Sequence, residues 1–542
     1  MHFQNIAAAL SPLAFGLVNA QSEDTPPGYA NSRVTLLKDG NVTAQNFPDV
    51  DIELLSPYFL NTGIAPAGWK NGSASATPQF EQDHFLQKLA ARNDWMSYQS
   101  PDFLSEEGRQ FPSVFLTSTK TPDPSKNSTK LRVLIQGHIH GNEPAGEEAI
   151  LAFLGKMDDN STWAESVLEN LDIMILPRVN PDGVAYFQRF MATGYDPNRD
   201  FSVMARQQTR DLIALYSKFE PHIFLDCHEY TANRRFGEEG NLVNPADTEV
   251  SPVSGLNVHE DIFDLNWNLF TQNMYAALER NDLRTSTYFT AAANSTQLTE
   301  ASPHAQYALT HNSLRQAIAI LTESRGIGLG NQHFQRRVAA NFICIEELIN
   351  TAVDNAERIY NTIEDARKEW IDSDEDIAIT PQGREENITW TWMDANNGSL
   401  IDVPVTYQNY TPTGVNLTRS RPEAYVFSRA WGDIAERLRI SGVDIVSLES
   451  PFQGEVQAFK IETSSLAPAR FEGITHNTVS TSNFTREVTI PAGGYWISTR
   501  QVNAAIAMSF LEPEDVASAV TYNLIPVDEG DEYPVYRVMK ND

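Results

Sequence analysis

The stretch from Leu131 to Met157 restricts the fold of this chain more than any other. Leu131 to Ile135 is a short apolar run bounded by turn formers, and it reads as a buried strand. Pro144 suits the first turn of a helix, where a missing N–H costs nothing, and Ile150, Leu151, Phe153, Leu154 and Met157 recur with helical spacing. A helix packing back on its strand leaves His140 and Glu143 where strand gives way to helix, the usual crevice for chemistry in an open α/β sheet. That spacing lets a single turn offer an imidazole and a carboxylate to one metal ion, and a catalytic zinc takes three protein ligands. Taken alone, the four residues favour the plainer reading, a capped helix beside a surface histidine.

The alternation continues along the chain. Strands are predicted from Phe115, over Asp172–Leu176, over Ile223–Leu225 and over Ala317–Leu321, with helices at Phe80–Leu89, Val203–Phe219 and Asp261–Leu283. The expected fold class is therefore α/β, a mostly parallel or mixed sheet sandwiched by helices. Polar groups gather after the strands: Asn180-Pro-Asp-Gly183, Asp226-Cys-His228-Glu229 and Thr322-Glu323-Ser324-Arg325. Apolar residues from Val338 to Trp370 recur at alternating spacings of four and three, predicting one long helix that closes this unit over residues 76–375. Residues 21–75, rich in Pro, Gly, Asn and Ser, read as a loosely structured lead-in. Asp372–Asp376 and Pro381-Gln-Gly383 mark a boundary. Beyond it, short β-prone runs and one strand–helix–strand piece predict a second, β-rich domain over 385–542.

The balance of 40 basic against 71 acidic residues, a net charge of −31, repels nucleic acid and anionic lipid and excludes both as partners. Residues 1–20 read as a secretory signal peptide cleaved after Ala20, no later apolar run is long enough to span a bilayer, and the polar C-terminus argues against a lipid anchor. Ten Asn-x-Ser/Thr sequons, at Asn41, Asn71, Asn127, Asn160, Asn294, Asn387, Asn397, Asn409, Asn416 and Asn483, fit the same route and imply N-linked glycans on solvent-facing loops. The expected location is extracellular, with an acidic vacuole-like compartment as the other destination of that route. Cys227 and Cys344 allow at most one disulfide.

His140-Gly-Asn-Glu143, Asn180-Pro-Asp-Gly183, Arg189, Asp196-x-Asn198-Arg199, His228 and Glu323 occur in that order, preceded by Ser105-x-Glu-Gly-Arg109. With this order and spacing the chain resembles the zinc metallocarboxypeptidases typified by pancreatic carboxypeptidase A, from about Ser105 to Gly326. The resemblance implies one zinc per chain held by His140, Glu143 and His228, with Asp196 orienting the first histidine. It implies that Asn198 and Arg199 grip the terminal carboxylate of a peptide or protein substrate, a task suited to a guanidinium's two parallel donors. Arg189 is the arginine it implies at the scissile carbonyl, with Arg178 as competitor, and Glu323 the general acid/base. Tyr307, with Tyr288 as alternative, stands for the tyrosine that covers the bound C-terminus. No long inhibitory pro-segment is expected before Ser105, and the C-terminal domain has no counterpart to name it.

The plain reading holds for several neighbours. His138 is expected to make a local polar contact, Cys227 to face the core, Asp182 and Gly183 to form a turn, and Arg234, Arg235 and Arg315 to be solvated surface residues. Asp226 and Glu229 flank His228 with nothing to choose between them. A zinc exopeptidase leads over a zinc amidase acting on acylated amino acids, and over a metal-free binding protein on the same fold.

Overall fold

The computed structural model describes residues 34–118, 130–253 and 255–540. The expected signal peptide, the start of the lead-in and the sequon at Asn127 lie outside the described residues.

An eight-stranded sheet organises the first part of the chain. Its strands are β1 (Met96–Tyr98), β2 (Val114–Leu116), β3 (Leu131–Gly137), β4 (Leu171–Leu176), β5 (Ile223–Thr231), β7 (Thr248–Pro252), β8 (Thr285–Ser286) and β10 (Ile318–Ile327). Their spatial order is β1-β2-β4-β3-β5-β10-β7-β8. The central four, β4, β3, β5 and β10, are parallel, while β1, β2 and β7 bring in antiparallel pairings. Alternation within each central strand divides its side chains between two cores. Val133, Ile135, Ile173, Ile175, Leu225 and Ile320 face one core, and Leu134, Met174, Phe224, Ala319 and Leu321 the other. The mixed α/β sandwich expected from the sequence is the observed one.

Helices cover both faces. The N-terminal segment carries α1 (Asn41–Ala44), α2 (Pro57–Leu60), α3 (Ala67–Lys70) and α4 (Gln79–Arg92). Next come α5 (Pro144–Asp159), α6 (Ser161–Asn170), α7 (Pro181–Tyr186), α8 (Gln207–Phe219), α9 (Glu260–Leu265), α10 (Gln272–Arg280) and α11 (Ala308–Ser313). A π-helical turn at Asn266–Thr271 joins α9 to α10. The long helix expected from Val338 is two helices, α12 (Phe334–Asp354) and α13 (Ala356–Asp372). They part at Asn355, whose φ of −125° leaves the helical region and whose amide donates back to the Thr351 carbonyl. The apolar spacing runs straight through this break, so periodicity alone did not reveal it. The lead-in is not loosely structured over residues 34–75: Leu54 and Trp69 belong to the main core, and Asp39 receives both terminal nitrogens of Arg325, at 2.9 and 3.0 Å.

The C-terminal region is β-rich, but its strands far exceed the short runs read from sequence. Two long hairpins dominate it, β11 (Ile377–Asp394) with β12 (Leu400–Arg419), and β15 (Phe452–Phe471) with β16 (Ile474–Ile490). Much of each arm is solvated on both sides, so it carries no alternating apolar signal. β11 already occupies residues 377–384, expected to lie between the two domains. The first hairpin forms a four-stranded sheet with β6 (Leu242–Val243) and β9 (Gln297–Thr299), two strands of the preceding region. The second joins β13 (Ala424–Phe427), β14 (Val446–Ser447), β17 (Tyr495–Ser498) and β18 (Val535–Val538) in a six-stranded sheet. Helices α14 (Gly432–Ile440) and α15 (Ala504–Leu511) pack into a core with that sheet. Asn387, Asn409, Asn416 and Asn483 lie on strands rather than loops.

Candidate active site

β3 ends at Gly137, and His138 adopts a left-handed φ of 57° that turns the chain into the segment before α5. Gly141 is required here: a Cβ would lie 2.0 Å from the Gly183 carbonyl carbon. The 140–143 and 180–183 turns therefore pack backbone against backbone. Asn180 shapes the second turn by accepting the Gly183 N–H at 2.9 Å. Asp182 does more than form that turn, because its carboxylate accepts Ser105 Oγ and Arg109 Nη1, each at 2.7 Å, latching the Ser105–Arg109 segment beneath the site.

His140, Glu143 and His228 converge, all of them buried. Nδ1 of His140 lies 2.8 Å from Glu143 Oε1, Nδ1 of His228 lies 2.9 Å from Oε2, and the two Nδ1 atoms are 3.1 Å apart. Each ring is anchored from behind. His140 Nε2 meets Asp196 Oδ1 at 3.1 Å, and His228 Nε2 meets Asp226 Oδ2 at 3.0 Å. A carboxylate beside Nε2 favours the proton on that nitrogen and leaves the lone pair on Nδ1, and both Nδ1 atoms face the space shared with Glu143. Two neutral imidazoles and a carboxylate are a zinc donor set, and these separations approach the roughly 3.3 Å between ligands at the corners of a zinc tetrahedron. The residues present fit that metal.

The site's charge favours a cation. Burial alone would raise the Glu143 carboxyl, but the His140 and His228 rings hold it well below the usual carboxylate range. Burial opposes charge on His228 as well, yet Asp226 and Glu143 raise its pKa well above the ordinary value, so the metal-free ring holds a proton that a bound cation would displace. Asp196 is buried and held low, chiefly by Arg189 and then His140.

The strands set the remaining residues. In the parallel pair β5–β10, His228 stands directly opposite Glu323, and in the antiparallel pair β10–β7, Glu323 stands opposite Glu249. Those three side chains form one row across the sheet and line a cleft of about 300 Å³. Burial pushes the Glu323 carboxyl up to about 8, against the pull of His228. Glu249 is also raised well above its ordinary value, by burial and then by Glu323.

Arg189, Asn198, Arg199, Tyr307 and Tyr288 line the same cleft. Arg189 donates Nε to Asp196 Oδ2 at 2.9 Å and lies 3.4 Å from Glu143. Arg178, its competitor, is buried elsewhere and spent on Glu147, at 3.0 and 2.6 Å. The Arg199 guanidinium sits 4.7 Å from the centre of the Tyr307 ring. Asn198 accepts the Ala308 N–H at 2.8 Å and holds its amide 3.4 Å from His228 Nε2.

Other residues answer questions the sequence left open. Asp226, not Glu229, meets His228, because residues two apart on a strand share a face. Glu229 points the other way to Arg337, with contacts of 2.9 and 3.0 Å, and Cys227 likewise packs in the core. His138 makes the expected local contact, to Glu147. Arg315, expected to be a solvated surface residue, is instead buried, donating to Ser441 O and Ser217 Oγ, while Arg234 lines the cleft. The C-terminal region reaches the site too. Glu472, at the β15–β16 tip, accepts the Asp196 N–H at 2.9 Å, and Tyr410 N donates to the cleft residue Glu300 at 2.7 Å.

Residues 84–314 match the zinc carboxypeptidase family. That span holds His140, Glu143, Asp196, Asn198, Arg199 and His228, and Glu323 lies just beyond it. Carboxypeptidase 2 of Trichophyton tonsurans is 39% identical over 514 residues, 94% of this chain and 96% of that protein. Carboxypeptidase 2 of Trichophyton rubrum is 38% identical over 514 residues, with the same coverage of 94% and 96%. Among solved structures, carboxypeptidase A of Helicoverpa armigera is 17% identical with a TM-score of 0.38, covering 55% of this chain and 77% of that one. A relative matched at 39% identity across nearly the full length of both chains places this protein in the zinc carboxypeptidase family, as a metallocarboxypeptidase.

Proposed function

We propose that this chain is a secreted exopeptidase that removes the C-terminal residue of peptides or proteins, with one zinc held by His140, Glu143 and His228. One observation carries the reading: this triad converges beside Glu323 in a cleft that also holds Arg189 and Arg199. When bound, zinc lowers the pKa of water and polarises a peptide carbonyl.

The chain's own residues do the rest. Arg199, backed by Tyr307 and flanked by Asn198, receives the free terminal carboxylate and so sets which peptide bond lies over the triad. Arg189, kept in place by Asp196, stabilises negative charge developing on the carbonyl oxygen. Glu323 takes the proton of the attacking water and hands it to the departing amine, which leaves as a free amino acid. Its raised pKa suits that exchange, and a cation in the triad would draw it down toward neutrality. The catalytic unit comprises residues 76–375 with the segment at 34–75 packed into its core, and the β-rich region over 385–542 braces its cleft through Glu472 and Tyr410. Every described sequon asparagine except Asn409 is exposed, which supports secretion and N-glycosylation.

The test is a panel of peptides with varied and amidated C-termini, read by mass spectrometry with and without chelator. Single-residue trimming that needs a free carboxylate and stops with chelator is the expected result. Glu323→Gln should retain zinc while kcat falls by about 10²–10⁴-fold. Activity of that variant within a few-fold of wild type, with zinc bound, would remove Glu323 from its role.

A further inference from the structure

The strands that carry the triad at their C-terminal ends frame a second cavity at their N-terminal ends. Arg132 lies at the start of β3, Glu220 just before β5, and Arg315 just before β10, while α13 contributes Glu364, Arg367 and Lys368. The enclosed volume is about 360 Å³, compared with about 300 Å³ for the catalytic cleft. In a chain of net charge −31, this lining sets four cations against two carboxylates.

The three arginines are all more than nine-tenths buried, with Arg315 only 2% exposed. Arg367 is paired, donating to Glu364 at 2.7 Å. The described hydrogen bonds of Arg132 and Arg315 go to uncharged atoms, Glu220 O for the first and Ser441 O and Ser217 Oγ for the second, and the two guanidiniums share the nearby Glu220 carboxylate. The Nε of Arg315 is buried with no hydrogen-bond partner among the described residues. Such a donor costs stability unless something fills it, and buried guanidiniums that outnumber their carboxylates cost more. Burial, and then the nearby Arg367, lower the Arg132 pKa; burial lowers Arg315 to about 10. Lys368 is exposed on α13 and lines the same cavity. His222 does not supply the missing charge: it faces Glu364 at 3.2 Å, and burial lowers its pKa to about 3.

We propose that this cavity binds a small, multiply charged oxyanion, a phosphate group either free or carried on a small organic molecule. Guanidinium forks match phosphate oxygens in pairs, and the occupant offsets the excess of four cations over two carboxylates. The bound anion links the start of the central sheet, α13 and the segment at Val502–Asn503, joining the two parts of the chain on the side away from the cleft.

The test measures binding of inorganic phosphate by the full chain, by calorimetry and thermal unfolding, against chloride at matched ionic strength. Saturable binding with a raised unfolding midpoint is expected. Lys368→Ala, an exposed substitution that leaves the core intact, and Arg315→Gln should each weaken binding about tenfold. Arg199→Ala, in the catalytic cleft, should leave it unchanged. Glycerol phosphate should compete with inorganic phosphate, and the tighter of the two identifies the source. No saturable effect beyond chloride, full binding retained in Lys368→Ala, or loss of binding in Arg199→Ala would each overturn the proposal.

Discussion

Two buried histidine–glutamate contacts leave the same β3–α5 connection, and they are built for opposite ends. His138 meets Glu147, and Arg178 closes that cluster with contacts of 3.0 and 2.6 Å from its guanidinium, while Gln82 adds a donor at 2.5 Å. His140 meets Glu143, but there the second partner is another ring, His228, and each ring has a carboxylate behind it. In the first cluster the positive charge is a side chain of the protein. In the second, lone pairs face one another, and Arg189 approaches Glu143 only at 3.4 Å. What separates a structural ion cluster from a metal site is therefore not residue type but whether a cation is already built in.

The sharpest way to break the comparison is to take the built-in cation away. Arg178→Ala leaves Glu147 buried with His138 and the neutral Gln82 and should cost about 3–5 kcal/mol of stability, with zinc content unchanged in the folded protein. Chemical denaturation together with metal analysis checks both halves, and loss of zinc from folded protein would merge the two clusters into one site.

Glu148 provides a control within the same helix turn. Its neighbour Glu147 has Arg178 and is held below the usual range, whereas Glu148 has neutral donors, among them Thr77 Oγ1 at 2.7 Å and Tyr58 N at 3.1 Å, and burial raises it to about 7. The folded protein thus keeps a proton that the unfolded chain releases above about pH 4.5. Its contribution to stability falls as pH rises from there through about 7, and then stays constant. Glu148→Gln should remove this dependence. The difference in unfolding free energy between wild type and variant should shift by about 2–3 kcal/mol from pH 4.5 to 8, with wild type losing ground. A difference that stays flat with pH would show Glu148 to be ionised in the fold.

Asp226→Asn is the mildest of the three changes. It keeps the shape behind His228 but loses the charge, so zinc affinity should fall about 10–100-fold in a chelator competition. Unchanged affinity would leave Asp226 without its role.

The sequence carried much of this arrangement because the parts that matter are local. His140 and Glu143 share one turn, and Asp196, Asn198 and Arg199 share another, so their spacing survives in one dimension. Asp226 became legible only once β5 was known to continue to Thr231, since alternation then places it on the face of His228. Glu249 depends on the pairing of β7 with β10, and Glu472 on a hairpin 276 residues away from Asp196, neither of which leaves a local trace. The same limit applied to the fold. The buried central strands announced themselves as apolar runs, but the solvated hairpin arms did not, and α15, apolar along nearly its whole length, gave no period to read.

The zinc content of three purified proteins, wild type, His138→Gln and His228→Ala, tests the account most directly. Wild type and His138→Gln should each carry one equivalent of zinc and remain active, and His228→Ala should lose both metal and activity. A wild-type protein that takes up no zinc when it is supplied, or a His228→Ala variant that keeps its full equivalent, would contradict the assignment of the triad.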